Sequence, residues 1–174
     1  MTNTGLETLT SARHEASRRA ARSLRFLAVV DGSECTNRIV DFIVTVAPRR
    51  DATEVVILNV QDRHFDARLR GYQSFKKEEI EDRLVSELGL PIVNSVNSRL
   101  QKAGVVSFAK VRIGDPVPTI LRCVAEDNCD VIVIGEPRPR GLRRWIRAAT
   151  GLRLASSLAF RLISAAPTPV VVVK

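Results

Sequence analysis

Apolar and polar positions alternate along this chain in blocks rather than residue by residue. RFLAVV (25–30) is a short apolar run with β-branched residues, and DGS stops it. Residues 34–47 carry Ile39, Phe42, Ile43 and Val46 at helical spacing. EVVILNV (54–60) is a second continuous apolar run. Residues 74–88 set Phe75, Ile80, Leu84 and Leu88 among charges, again with a helical period. Pro91 is expected to break that helix, and a further helical stretch runs to Leu100 and ends at Gly104. VVSFAKVRI (105–113) reads as a third strand. In GDP (114–116), Asp115 suits an N-cap and Pro116 the first helical position, with the helix running to about Asn128. DVIVIG (130–135) is a fourth strand, residues 156–165 a helix, and TPVVVVK (168–174) a fifth strand.

Short apolar strands separated by helices form β-α-β units. They predict an α/β domain of three layers, a five-stranded parallel sheet with helices on both faces. In such a sheet a ligand crevice lies outside the carboxyl ends of the strands, where the strand order reverses. The positions to read for function are therefore Asp31-Gly32-Ser33, Gln61-Asp62, Gly114-Asp115 and the segment from Gly135.

Charge alters this picture in two places. The net charge of +8 looks like a nucleic-acid signal until it is located. Residues 1–25 carry a net +3 and residues 136–155 a net +5, so the remainder is balanced. Trp145 is the only aromatic residue in those two basic segments, which argues against a nucleic-acid-reading surface. A chain of 174 residues fits one domain with a full hydrophobic core, and residues 1–24 read as a basic tail before that domain at 25–174. No apolar run is long enough to span a bilayer, and no secretory signal is visible. Cys35, Cys123 and Cys129 have no metal or redox spacing and are expected to be buried, reduced thiols of a cytoplasmic protein.

The strand ends exclude several chemistries. DGSECTNR after the first strand is not G-x-G-x-x-G, and neither a P-loop nor a G-x-S-x-G elbow occurs. His14 and His64 cannot be placed with a serine or cysteine as a nucleophilic pair. Asp31 is the best polar candidate. A carboxylate at a strand end accepts hydrogen bonds from a ribose hydroxyl or a base amine, but it can equally cap the following helix.

VVDGSE, VILNV, VRIGDPVPTIL, DVIVIG and SSLAFRLISAAPTPVVVV, in this order and spacing, resemble the universal stress protein family across nearly all of residues 25–174. The resemblance implies the strand order 3-2-1-4-5. It also implies a homodimer, which fits an apolar PVVVV strand at a sheet edge in need of a partner. In the nucleotide-binding branch it implies a site for ATP or another adenine nucleotide. Asp31, followed by Gly32 and Ser33, would meet the ribose or adenine, Val60 would line the adenine slot, and Gly135 would begin the phosphate loop.

The family's loop runs Gly, two residues, Gly, nine residues, Gly, then Ser or Thr. In this chain Arg138 stands at the second glycine, between Pro137 and Pro139. Ser156 stands at the third glycine and Ser157 at the serine, both later than the family's spacing, and Gly141 is an alternative loop glycine. Proline offers no N–H and fixes φ near −65°, so this backbone is a poor cradle for a triphosphate. The expectation is a regulatory or scaffold protein of the stress response whose ATP site is impaired or absent. The alternative is an adenine-nucleotide-binding protein using Asp31, Gly135 and Ser157. Catalysis is not expected, and a weak ATPase is the least supported outcome. The stretch 136–155 spaces Leu142, Trp145, Ile146 and Ala149 helically among arginines. It reads as a basic insertion able to meet a protein partner or an anionic surface, or to pack on its own domain.

Overall fold

A computed structural model describes residues 23–47, 53–62, 77–136 and 157–174. Strand β1 (Leu24–Val29) leads into helix α1 (Glu34–Val46) and strand β2 (Thr53–Gln61). Helix α2 (Lys77–Arg83), a π-helical turn (Leu84–Gly89) and helix α3 (Leu90–Lys102) then run on without a break. Strand β3 (Val106–Ile113), helix α4 (Pro116–Glu126), strand β4 (Val131–Gly135), helix α5 (Leu158–Ala165) and strand β5 (Val170–Val173) complete the order. All five strands are parallel and lie as β3-β2-β1-β4-β5. The α/β class and strand order are those expected. The basic tail up to residue 22, His64 and the amphipathic stretch around Trp145 lie outside the described residues.

The apolar runs exist because the middle strands are covered on both sides. Phe26, Ala28, Val55, Ile57 and Val133 pack on Ile39, Val40 and Ile43 of α1 and on Val93, Val96 and Leu100 of α3. Leu27, Val56, Leu58, Ile132 and Ile134 face the other way, onto Val117, Ile120, Cys123 and Val124 of α4 and Leu162 of α5. Consecutive residues of a strand thus serve opposite cores. The register of β1 on β2 pairs Val29 with Leu58, and that of β1 on β4 pairs Val29 with Ile134. The ends of β1 and β4 therefore lie nearly level, while β2 runs on past them to Gln61.

Two expectations fail between residues 84 and 91. Pro91 does not break the helix but sits in the first turn of α3. The Leu90 N–H bonds to the Val85 carbonyl across the wider π turn, so the ladder is re-spaced just before the residue that cannot donate. The extra residue in that turn also shifts the helix face. Leu84 is buried, whereas Leu88, expected on the same face, is 51% exposed.

The three cysteines are buried free thiols, as expected. Burial, with Asp127 beside it, pushes the Cys129 thiol up to about 11, and burial likewise raises Cys123. Both stay protonated at neutral pH and act as small apolar side chains.

Candidate functional site

β1 ends in a turn whose polar atoms are bonded locally. Asp31 Oδ1 accepts from the Ser33 N–H at 3.0 Å and from the Thr36 hydroxyl at 3.2 Å. Thr36 Oγ in turn accepts from the N–H groups of Asp31, at 3.2 Å, and of Gly32, at 3.0 Å. Thr36 is buried while Asp31 is exposed. The helix cap itself is Ser33, whose Oγ accepts from the Cys35 N–H at 3.1 Å. Capping of α1 therefore does not fall to Asp31, because the sharp turn brings Ser33, two residues nearer the helix, to its first turn. Gly32 makes that turn possible with φ +77°, and a side chain there would press on Ile92 of α3.

Beside this turn, β2 ends in Asn59, Val60 and Gln61. Asn59 is buried and its Nδ2 donates to the Val30 carbonyl at 2.7 Å. Gln61 Nε2 donates to Asn59 Oδ1 at 2.6 Å, and the Gln61 carbonyl accepts from the Gly114 N–H at 3.0 Å. Val60 is half-buried and packs on the α4 side of the sheet.

On the other flank, β4 ends at Gly135, directly under the start of α1. An ideal Cβ at Gly135 would lie 2.4 Å from the Cys35 Cβ, so only glycine fits this approach. Arg38 of α1 reaches over the strand end and donates to the Glu136 carbonyl at 3.2 Å and to Cys35 Sγ at 3.1 Å. The Glu136 N–H donates to the Val173 carbonyl at 3.0 Å, so the exit of β4 is held from two sides.

On the opposite face two helix starts are tied together. Asp115 caps α4, its Oδ1 accepting from the Val117 N–H at 3.3 Å, and lies 3.6 Å from Arg161 of α5. Asp115 as N-cap and Pro116 in the first turn are as expected. Ser157 caps α5, its Oγ accepting from the Phe160 N–H at 3.1 Å.

The structure thus brings Asp31, Gly32, Ser33, Val60 and Gly135 to the adjacent carboxyl ends of β1, β2 and β4. The strand order reverses between β1 and β4. Ser157 opens the helix that follows β4 in the described chain. Arg138, Gly141 and Ser156 lie outside the described residues, as do Pro137 and Pro139. The expectation of an impaired ATP site rested on that loop, and nothing among the described residues supports it. Sequence reasoning marked Gln61 as a strand-end position but missed Thr36, Arg38 and Asn59. Only Thr36 had a local signal, a hydroxyl five residues after the strand-end aspartate.

Among the described residues no three His, Cys, Asp or Glu side chains gather as a metal site. Among them, too, no helix is long and apolar enough to cross a membrane.

Comparison with solved structures returns the same fold. A universal stress protein UspA from Lactobacillus plantarum aligns with TM-score 0.62 and 19% identity, covering 88% of this chain and 99% of that one. A universal stress protein in complex with cAMP aligns with TM-score 0.59 and 19% identity, over 87% of this chain and 96% of that one. An Arabidopsis thaliana universal stress protein family protein with AMP bound aligns with TM-score 0.56 and 18% identity, over 87% and 91%. No curated protein matches the sequence. The sequence pattern of the Universal stress protein family matches residues 23–174, and with it the chain is placed: it belongs to that family.

Proposed function

We infer that this chain is a cytoplasmic regulatory protein that binds an adenine nucleotide, prefers a monophosphate to ATP, and carries out no catalysis. The observation behind this is the clustering of Asp31, Gly32, Val60 and Gly135 at three adjacent strand ends. Asp31 spends Oδ1 on its own turn, and among the described residues no donor meets Oδ2. That oxygen suits a ribose hydroxyl. The amides at the start of α5, after Ser157, suit an anionic group. Solved relatives of this fold carry cAMP and AMP. The preference for one phosphate is supported by Pro137 and Pro139, which follow Gly135 in the sequence and offer no N–H to a longer phosphate chain.

Calorimetry with AMP, cAMP, ADP and ATP tests this. AMP or cAMP should bind at least about tenfold more tightly than ATP, and Asp31→Ala should weaken binding by about tenfold. No heat from any of the four would remove the nucleotide assignment. ATP binding tighter than AMP would remove the monophosphate preference alone.

We also assign a homodimer to the β5 edge. Val170–Val173 is a half-buried, wholly apolar edge strand, and such an edge gains by pairing with a second copy. Sedimentation at micromolar concentration should give twice the mass of 19.2 kDa, and a monomer would refute it.

A further inference from the structure

We propose that Gln61 reads the exocyclic group of the bound base, so that the site selects a 6-amino over a 6-oxo purine; this rests on the adenine-nucleotide assignment above. The Val30 carbonyl can only accept, so the Asn59 atom at 2.7 Å from it is the donor Nδ2. Asn59 is 2% exposed, which leaves its amide no room to turn over. Its Oδ1 is therefore presented to Gln61, and the Gln61 atom at 2.6 Å is in turn the donor Nε2. The remaining atom of the Gln61 amide is an oxygen. Among the described residues no donor meets it, and it is not an enclosed atom. A buried carbonyl thus polarises two amides in sequence, and the chain ends on a lone acceptor at the end of β2.

That acceptor lies at the base end of the crevice. Gly135, Asp31 and Gln61 close three neighbouring strands in the order β4-β1-β2. Strands are about 4.8 Å apart with a rise of about 3.3 Å per residue, and Gln61 lies two residues past the level of Gly135, so the three positions span about 12 Å. This is the scale of a nucleoside monophosphate. With the phosphate towards Gly135 and Ser157 and the sugar at Asp31, the base falls at β2. Val60 and Gln61 leave that strand on opposite faces. A flat ring seated across its end meets Val60 with a face and Gln61 with an edge. Oε1 accepts from the amino group of adenine. Against hypoxanthine or guanine it would face another acceptor, O6, and both would lose their water without gaining a bond.

The test compares AMP with IMP, which carries an oxygen in place of the 6-amino group, by calorimetry on the full chain. The parent protein should favour AMP by about tenfold or more. Gln61→Leu, checked for folding by circular dichroism, should bring the two affinities within about twofold. Asn59→Leu, which frees the Gln61 amide to turn over, should also shrink the preference while Gln61 remains. If the parent favours AMP and Gln61→Leu keeps that preference undiminished, this inference is wrong and the adenine site stands. Equal affinity of the parent for AMP and IMP overturns it as well. If the parent binds neither, both assignments fall together.

Discussion

Gly135→Ala should lower the unfolding free energy by about 3 kcal/mol, although it adds a single methyl group. The added Cβ would stand 2.4 Å from the Cys35 Cβ, 3.3 Å from its Cα and 3.4 Å from its carbonyl carbon. Two of those atoms are backbone, so no rotamer change relieves the contact. Neither side can retreat easily. Gly135 is paired with Val173 in the sheet, and the Glu136 N–H is bonded to the Val173 carbonyl. Cys35 is buried in the first turn of α1 behind the Ser33 cap. The strain must therefore move α1 away from β4, where Ile39, Val40 and Ile43 form one of the two cores. Urea denaturation should show the loss in the midpoint with an unchanged slope. Cys35→Ala should not rescue the variant, because its Cβ remains. Cys35→Gly should recover part of the loss. A Gly135→Ala protein as stable as the parent would mean that the helix does not press on this strand end.

Thr36→Val keeps the shape of the side chain and removes one oxygen, and that oxygen serves three partners. Without it the N–H groups of Asp31 and Gly32 lose their acceptor, and Asp31 Oδ1 loses a donor. Thr36 is 6% exposed, so water cannot readily replace it. The cost should be about 2–3 kcal/mol, the range for stranding buried donors. Nucleotide affinity should fall with it, because Asp31 would no longer be held. Thr36→Ser keeps the hydroxyl and should restore most of the binding, at the cost of one methyl group. Thermal melting and calorimetry on the same two variants separate the effects. A Thr36→Val protein with unchanged stability and affinity would show that the turn is set by Gly32 alone.

Both variants act at points of very different visibility in the sequence. Gly135 could be singled out there, since it follows an apolar run that had to be a covered strand. Its partner could not, because Cys35 lies a hundred residues away and no pattern joins them. Thr36 stood in plain view after Asp31, but the sequence allowed Asp31 to be the helix cap. The positive φ of Gly32 decides otherwise by turning the chain so that Ser33 meets the Cys35 amide in the first helical turn. Pro91 and Leu88 were misread for one reason. Helical periodicity assumes an even 3.6-residue turn, and a π turn inserts a residue that no apolar pattern announces.

Local chemistry was enough for the five strands and the Asp115 cap. Parallel strands covered on both faces must be apolar throughout, helices must be apolar on one side, and these periods survive in the order of residues. The joining of Gly135 to Cys35, of Arg38 to the Glu136 carbonyl, and of Val30 through Asn59 to Gln61 belongs to the packed fold alone. Each depends on strand register and on how near two backbones come. Those distances arise only when separate stretches of chain compete for the same volume.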